Sequence, residues 1–436
     1  MSVDNSKYIG KYVEIKGKGN IFSGQVKGIV IPNENKGLIV LKLDSGYNVA
    51  VKKENISEIK VLGTTKRTSN KSKVDVKVVN DKDLPKVGII SLGGTIASKV
   101  DYTTGGVSSQ FTAEDLVTAI PEIKSLANLE CISLYNKFSE NITRNDWCGI
   151  AKKIESLAKE NYKGFVITMG TDLLHYSAAA LSFLLEEINF PVVFVGAQRS
   201  SDRPSSDSAY NLIGALTFIK ESKKAGVFVS MHHTSDDKLI AINLGTKVRK
   251  LHSSRRDAFK AVNLKPVALI DIDSRSGKLL KNEISFGEIY DSLPDINGSK
   301  VKIVTSLSDH VSLIKYYPDM DTKLLEFALK NYKALIIEGS GFGHISDRLI
   351  NLVKKYKDTL VFMTTQTIFG RVNLDVYTQG RKELAAGIIP LGDMLSETAY
   401  AKACYVLAKT NNRDEIIKLM TKNLKGEINN RSLYIE

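Results

Sequence analysis

Two strand-like segments of the sequence end in a glycine followed by a hydroxyl group, an arrangement that could do nucleophilic chemistry. The run Lys86–Leu92 is short, apolar and rich in β-branched residues, and Gly93-Gly94-Thr95 follows it. Phe165–Met169 likewise leads into Gly170-Thr171-Asp172. Neighbouring parallel strands lie about 5 Å apart, so both threonines could reach one ligand, and free backbone N–H groups beside the glycines could hold an oxyanion. Each motif alone is better explained by an ordinary turn.

A lysine further along the chain could complete a proton path. Lys247 lies on a polar loop after the strand-like segment Ala241–Leu244. A threonine hydroxyl is a weak nucleophile until a base takes its proton, and a lysine with a lowered pKa can be that base. A carboxylate such as that of Asp172 would instead stabilise the ammonium. The sequence leaves Lys247 as either a base or an orienting charge, and Thr171 with Asp172 could alternatively cap a helix.

From Leu84 onwards, strand-like and helix-like segments alternate. This alternation predicts an α/β fold with mostly parallel sheets and helices on both faces. The first group of expected strands comprises Lys86–Leu92, Gly164–Met169, Val192–Gly196, Gly226–Met231 and Val267–Ile272. The expected helices between them are Thr112–Ile120, Arg144–Glu160, Ser177–Glu187 and Ser208–Lys220. After a polar boundary at 273–300, strands are expected at Lys302–Ser306, Ala334–Glu338 and Leu360–Thr364, with helices at Leu395–Ala408 and Arg413–Leu424.

The residues before Leu84 have a different character. Five short, often alternating segments between residues 8 and 62 are separated by turn-forming residues, and they predict a small SH3-like β-barrel. Such a barrel could bind nucleic acid or a partner protein, or it could be a passive appendage. The predicted domains are the barrel at 1–63, a basic flexible linker at 64–84, an α/β domain with the active site at 85–280 and a smaller α/β domain at 300–436.

Composition excludes several classes of protein. The formal net charge of +13 suits a polyanionic partner such as nucleic acid, or reflects a generally lysine-rich composition. The three cysteines, Cys131, Cys148 and Cys404, lack the paired spacing of a disulfide framework or a zinc site. No signal peptide or membrane-spanning apolar run is visible, which predicts a cytoplasmic protein. No metal site is predicted, since the adjacent His232 and His233 would point to opposite faces of a strand.

A glycine-rich segment near the end of the chain is a weaker candidate for ligand binding. Gly339-Ser-Gly-Phe-Gly343 follows a strand-like run, but the third glycine of a dinucleotide-binding motif would fall on His344. We therefore interpret this segment as a sharp strand-to-helix loop.

Four motifs together resemble the asparaginase/glutaminase family of threonine-dependent amidohydrolases, in their order and their spacing. They are Gly93-Gly-Thr-Ile-Ala97, Met169-Gly-Thr-Asp172, Val195-Gly-Ala-Gln-Arg199 and Gly245-Thr-Lys247. The resemblance covers roughly residues 85 to 430 and implies a two-domain α/β body. The loop at Gly339–His344 departs from the pattern of secreted asparaginases, so no site residue is assigned to it.

The same resemblance implies roles for individual residues. Thr95 is the first nucleophile candidate, and Tyr102 lies in a lid that closes over the substrate and helps to activate Thr95. The implied hydrogen-bonded relay consists of Thr171, Asp172 and Lys247. The implied ligands of the substrate's α-carboxylate and α-amino groups are Ser139, Glu140 and Asp172.

The added barrel and linker resemble a branch of this family, the glutaminase subunits of archaeal Glu-tRNA(Gln) amidotransferases. This resemblance implies that glutamine is hydrolysed to glutamate and ammonia. Ammonia would pass to a partner, the amidotransferase's E subunit, which uses ATP and Mg²⁺ to convert Glu-tRNA(Gln) to Gln-tRNA(Gln). The chain itself would hold no cofactor and no metal, and it would form a homodimer within a heterotetramer that binds tRNA(Gln) and no membrane.

Two other functions remain open from the sequence. One is a free-standing cytoplasmic L-asparaginase. The other is a catalytically silent RNA-binding or scaffold protein built on an amidohydrolase body, although the complete set of predicted catalytic residues argues against it.

Overall fold

The structure is a computed structural model. It describes residues 7–18, 24–33, 35, 37–43, 48–64, 81–93, 98–100, 107–109, 120–199, 205–272, 282–298 and 300–431. Thr95, Tyr102, most of the predicted linker at 64–84 and nearly all of the predicted helix Thr112–Ile120 lie outside these residues. The predictions made for them therefore stay predictions.

The N-terminal domain is a five-stranded antiparallel sheet. Its strands are β1 (Lys11–Gly17), β2 (Gln25–Ile31), β3 (Leu38–Lys42), β4 (Asn48–Lys52) and β5 (Ile56–Thr64). They pair in the order β4-β3-β2-β1-β5, and alternate apolar residues such as Val13, Ile15, Ile39 and Leu41 form a small buried core. The five predicted strands are confirmed, whereas closure of the sheet into an SH3-like barrel stays a prediction.

The middle of the chain forms a larger domain around an eight-stranded sheet. The strands of this region are β6 (Lys86–Ser91), β7 (Ser98–Val100), β8 (Val107–Ser109), β9 (Asn128–Ser133), β10 (Gly164–Thr168), β11 (Leu185–Glu187), β12 (Pro191–Val195), β13 (Gly226–His232), β14 (Leu239–Leu244), β15 (Val248–Lys250), β16 (Phe259–Ala261), β17 (Ala268–Asp271), β18 (Glu283–Phe286) and β19 (Lys302–Ile303). The eight strands run in the order β18-β17-β14-β13-β12-β10-β6-β9. From β9 to β13 neighbouring strands are parallel, and from β13 to β18 they are antiparallel, so the sheet is mixed.

Helices cover both faces of this sheet, as the alternating pattern predicts. They are α1 (Arg144–Leu157), α2 (Leu174–Leu184) and α3 (Ser208–Glu221). Helices α1 and α2 pack on one face and α3 packs on the other, in two separate apolar cores. Thr143 and Asp146 form a capping box at the start of α1, since each side chain accepts a hydrogen bond from the other residue's backbone N–H.

The C-terminal domain has a four-stranded sheet that is parallel throughout. Its elements are β20 (Val311–Lys315), α4 (Thr322–Asn331), β21 (Ala334–Gly339), α5 (Asp347–Val353), β22 (Leu360–Thr365), α6 (Thr378–Ala385), β23 (Ile388–Pro390), α7 (Ser396–Lys409) and α8 (Arg413–Thr421). Helix α7 packs against α2, and the rings of Phe183 and Tyr405 stack with their centroids 5.8 Å apart. One apolar core therefore joins the two α/β domains.

The prediction of a strand of the second domain at Lys302–Ser306 is wrong. Residues 302–303 form the short strand β19, which pairs with β11 of the preceding domain. The edge strand of the C-terminal sheet is instead β20, whose residues after Val311 are only partly buried or exposed. A strand of this kind lacks the continuous apolar run that marks a central parallel strand, so its sequence signal is weak.

No helix among the described residues is long and apolar enough to cross a membrane.

Candidate active site

The ends of β6 and β10 lie side by side, as the two glycine–threonine motifs predict. The strands are parallel, with Ile90 opposite Ile167 and Ser91 opposite Thr168. The Leu92 N–H donates to the Thr168 carbonyl at 2.9 Å, which holds the two strand ends together beyond the last paired residues. The chain just after β6, at Leu92 and Gly93, therefore lies beside the end of β10, which leads into Gly170 and Thr171, while Thr95 itself lies outside the described residues.

Gly93 lets a third segment approach this edge. Its φ of +113° is unfavourable for other residues, and a Cβ there would lie 2.5 Å from the Lys137 carbonyl oxygen. The Lys137 N–H donates to the Leu92 carbonyl at 2.9 Å, so the segment before Ser139 is tied to the end of β6. Glycine at position 93 is thus required both by its backbone conformation and by the closeness of this segment.

The predicted substrate ligands follow directly on that segment. Ser139 is buried, and a Cβ on Gly170 would lie 3.2 Å from the Ser139 backbone nitrogen. The Ser139 hydroxyl donates to Glu140 Oε2 at 3.3 Å, while the Glu140 side chain is exposed. The structure therefore brings Ser139 and Glu140 to the same edge of the sheet as Thr171.

Thr171 and Asp172 share one lysine, and that lysine is Lys250. Its Nζ lies 2.8 Å from Thr171 Oγ1 and 2.7 Å from Asp172 Oδ1. The Lys250 side chain is 7% exposed, whereas that of Asp172 is 72% exposed. Helix α2 begins only at Leu174, and no side chain caps it, so Thr171 and Asp172 do not serve as its N-cap. Their side-chain oxygens are therefore not used to cap the helix.

The predicted contact of Lys247 with Thr171 and Asp172 is wrong. Lys247 is fully buried, and its Nζ contacts Asp393 of the C-terminal domain, at 2.7 Å from Oδ2 and 2.9 Å from the backbone oxygen. Burial lowers the pKa of Lys247, and the Asp393 carboxylate opposes this shift. Lys250 is only three residues further on, so the sequence pattern indicated the correct loop and the wrong lysine.

A polar cleft of about 350 Å³ adjoins the Thr171–Lys250 pair. It is lined by Asp172, His175, Tyr176, Arg249, Lys250, Leu251, His252, Ser253 and Glu397. Glu397 Oε1 lies 3.0 Å from Arg249 Nε and 3.6 Å from His175 Nε2. Burial disfavours the ionised carboxylate, but the neighbouring His175 and Arg249 outweigh it and hold the pKa of Glu397 below its ordinary value. Glu397 belongs to α7, so the C-terminal domain forms one wall of this cleft.

Sequence reasoning missed Lys250, Arg249, Asp393 and Glu397. The sequence contained one signal for Lys250. Side chains alternate along a strand, so β15 has Val248 and Lys250 on one face and Arg249 on the other. The ion pairs Lys247–Asp393 and Arg249–Glu397 join residues almost 150 positions apart, and nothing in the neighbouring sequence indicates them. The two carboxylates lie four residues apart around the start of α7, in a stretch without any catalytic motif.

One of the two adjacent histidines lies in the interior of the fold. His232 is fully buried, and its Nδ1 lies 2.7 Å from Asn211 Oδ1. Among the residues that the structure describes, no group of three or more His, Cys, Asp or Glu side chains could hold a metal ion.

Family models match three parts of the chain. The model described as Asparaginase, N-terminal matches residues 86–283, and that described as Glutaminase/Asparaginase C-terminal domain matches residues 310–420. The model described as GatD N-terminal domain matches residues 8–62. The N-terminal sheet and the α/β body thus correspond to separate family domains.

Individual proteins match over almost the whole length. The D subunit of the glutamyl-tRNA(Gln) amidotransferase of Thermofilum pendens is 40% identical, over 94% of this chain and 91% of the relative. The protein of the same name from Pyrococcus furiosus is 43% identical, over 96% of this chain and 94% of the relative. The structure of the thermostable L-asparaginase from Thermococcus kodakarensis matches 79% of this chain and 99% of its own, with a TM-score of 0.68 and 30% identity. This chain therefore belongs to the asparaginase/glutaminase family and, within it, to the family of glutamyl-tRNA(Gln) amidotransferase D subunits.

Proposed function

We propose that this chain hydrolyses glutamine to glutamate and ammonia, and that the ammonia serves to convert Glu-tRNA(Gln) to Gln-tRNA(Gln). The observation that carries this proposal is the contact of Lys250 with both Thr171 and Asp172, at a sheet edge where the chain from β6 also emerges. The names of the relatives, which match both the N-terminal sheet and the α/β body, support the tRNA-dependent role.

In the proposed reaction, Thr95 Oγ1 attacks the side-chain amide carbon of glutamine. A C–O bond forms, the carbonyl oxygen becomes an oxyanion, and backbone N–H groups at Gly93 and Gly94 would hold it. The C–N bond then breaks, and the leaving nitrogen takes up the proton that Thr95 Oγ1 lost on attack, so that it departs as ammonia. Water hydrolyses the resulting ester and releases glutamate. Tyr102 would close over the substrate and help to activate Thr95.

Thr171 and Lys250 would handle the protons of this reaction. Asp172 is an acceptor-only carboxylate 2.7 Å from Lys250 Nζ, so Nζ donates towards it. The same Nζ lies at hydrogen-bond distance from Thr171 Oγ1, where a positive charge favours loss of the hydroxyl proton. Thr171 can therefore pass a proton towards the substrate while Lys250 stabilises the oxygen left behind.

The amino-acid end of glutamine would bind at the same edge of the sheet. The carboxylates of Glu140 and Asp172 are exposed and could accept hydrogen bonds from the α-ammonium group. The Ser139 hydroxyl would donate to the α-carboxylate. The close packing of this segment against the strand ends, which Gly93 and Gly170 allow, supports this proposal.

The chain would act in the cytoplasm with a partner, the E subunit of the amidotransferase, that binds ATP and Mg²⁺ and receives the ammonia. We expect no cofactor in this chain, and a homodimer of it within a heterotetramer. The net charge of +13 is favourable for an assembly that contains tRNA(Gln).

The test is to measure ammonia release from glutamine and from asparagine by the purified chain, alone and together with the E subunit and Glu-tRNA(Gln). We expect glutamine to be hydrolysed and the partner and tRNA to stimulate the reaction. Activity on asparagine alone, unaffected by partner and tRNA, would instead support a free-standing L-asparaginase, which the likeness of the body to the Thermococcus kodakarensis enzyme favours. Absence of activity in every mixture would support the scaffold alternative.

Replacement of Thr171 by alanine tests the residue assignment. We expect Thr171→Ala to lower kcat for glutamine by about 10³-fold, the usual contribution of a positioned proton-transfer group. Full activity in this variant would overturn the assignment of Thr171. Circular dichroism and the thermal midpoint of the variant serve as controls for folding.

A further inference from the structure

The lysine that contacts Thr171 lies on a hairpin too small to position it alone. Strand β15 has three residues, Val248–Lys250, and among the described strands it pairs with β16, Phe259–Ala261. A two-stranded ribbon of this length is not stable by itself in water. Something else must therefore hold Lys250 Nζ at hydrogen-bond distance from both Thr171 and Asp172.

The residues just before Lys250 are held by two carboxylates of the C-terminal domain. Lys247 contacts Asp393, with both side chains fully buried, and Arg249 contacts Glu397 at 3.0 Å. The carboxylate of Asp393 also accepts hydrogen bonds from the backbone and side-chain N–H groups of Asn429, at 2.8 and 2.9 Å. Asp393 is therefore itself fixed in place.

A backbone contact adds to these two ion pairs. The Thr398 hydroxyl donates to the Thr246 carbonyl at 2.9 Å, and Thr398 follows Glu397 in the first turn of α7. Three contacts thus connect residues 246–249 with residues 393–398. Arg249 lies on the opposite face of β15 from Lys250, so its ion pair leaves Lys250 free to face Thr171.

We propose that the C-terminal domain positions Lys250 for catalysis through the buried Lys247–Asp393 ion pair and the partly exposed Arg249–Glu397 ion pair. The Lys247–Asp393 pair is fully buried away from the cleft, whereas Arg249 and Glu397 line the cleft wall. Neither pair contacts Thr171 or Asp172, so both act through the placement of the hairpin. This inference rests on the proposed function, because it needs Lys250 to take part in glutamine hydrolysis. It makes the C-terminal domain a support for the proton-transfer group as well as a packing partner.

The test compares Asp393→Asn and Glu397→Gln in the full chain, in complex with the E subunit and Glu-tRNA(Gln). We expect kcat for glutamine hydrolysis to fall about tenfold or more in each variant, since small displacements of a catalytic group have effects of this size. KM should change less than about twofold, because uniform substrate binding is unaffected when only a transition-state contact is lost. A general loosening of the domain would raise KM as well and would contradict the proposal.

Three further variants keep this test decisive. Glu383→Gln removes another fully buried carboxylate of the same domain, one that contacts His344 and the Ile345 N–H and not the hairpin, and it should leave kcat unchanged. Arg249 is 26% exposed, so Arg249→Gln should fold even if Asp393→Asn does not. We expect Arg249→Lys to recover much of the kcat that Arg249→Gln loses, since it keeps the charge opposite Glu397.

The outcomes separate this inference from the proposed function. Unchanged kcat in Asp393→Asn, Glu397→Gln and Arg249→Gln, together with an inactive Lys250→Met, would overturn the positioning role and leave the function intact. Full activity in Lys250→Met would instead overturn the proposed role of Lys250.

Discussion

The carboxyl ends of the parallel strands in the two α/β domains lead into similar loops that carry very different polar groups. In the larger domain, the loop after β10 presents Thr171 and Asp172, and the Asp172 side chain is 72% exposed. In the C-terminal domain, the loop after β21 also contains glycines and a hydroxyl, in Gly339–His344. Both loops end buried strands, and the difference lies in what their polar atoms contact.

In the C-terminal loop, the polar atoms complete the fold. The Ser340 hydroxyl donates to the His344 carbonyl at 3.0 Å. Glu383 accepts a hydrogen bond from the Ile345 N–H at 2.7 Å and lies 3.1 Å from His344 Nδ1. The large exposed side chains of this edge include the aromatic rings of Phe342 and Tyr377. A glycine-rich turn at a strand end therefore supplies shape, and it becomes a candidate site only where carboxylates and hydroxyls remain open to a ligand.

Among the changes that test this comparison, replacement of Lys250 should have the largest effect on kcat. We expect Lys250→Met to lower kcat by about 10³-fold, because Thr171 and Asp172 would lose their common partner. Lys250→Arg keeps a permanent charge but cannot act as a base, so we expect it to retain activity at about a tenth to a hundredth of the original. Steady-state ammonia assays with both variants measure this, and an entirely inactive Lys250→Arg would show that a neutral amine is required.

A smaller effect is expected from a methyl group placed behind Thr171. A Cβ on Gly196 would lie 2.6 Å from Thr171 Cγ2, so Gly196→Ala should displace Thr171 and lower kcat about tenfold. Gly214→Ala is the matched control, since its Cβ would meet Ile240 Cγ2 at the same 2.6 Å inside the core. We expect the control to lose about 1–3 kcal/mol of stability and to keep its kcat at temperatures where it is folded. Equal losses of kcat in both variants would contradict the placement of Thr171 in the site.

The smallest effect concerns the pH dependence of the C-terminal edge. Burial raises the pKa of Glu383, and the Ile345 N–H and His344 only partly offset this. Because the folded protein then binds this proton more tightly than the unfolded chain, the stabilisation is complete below the unfolded pKa. It is lost as the pH rises through the folded value.

Glu383→Gln should remove this dependence. We expect the thermal midpoint of the original chain, relative to that of the variant, to fall as the pH rises from about 4 to 7. Glutamine hydrolysis should be the same in both. A relative midpoint that rises over this range would contradict the sign, and a large loss of activity would show that the C-terminal edge takes part in catalysis.

Much of the arrangement was predictable because its causes are local. The apolar runs before Gly93 and Gly170 are buried parallel strands. These two strands are neighbours, as they must be if both strand ends are to contact one ligand. Thr143 caps the helix that follows it. Ser139, Glu140, Thr171 and Asp172 come together at one edge, as the family resemblance implied. These features depend on strand length, glycine conformation and capping, all of which act over a few residues.

The choice between Lys247 and Lys250 was decided only by the tertiary structure. Both lysines follow the same turn, and nothing within a few residues indicates which one enters the site. Lys247 is buried because Asp393, almost 150 positions later, lies 2.7 Å from it once the two domains pack. Lys250 is left on the other face of the hairpin, beside Thr171. The sequence by itself determined the strands, their glycine–threonine ends and the family. The sequence did not determine which lysine forms a buried ion pair and which one faces Thr171. That depended on contacts between distant segments, because an ion pair forms only where folding brings its two partners together.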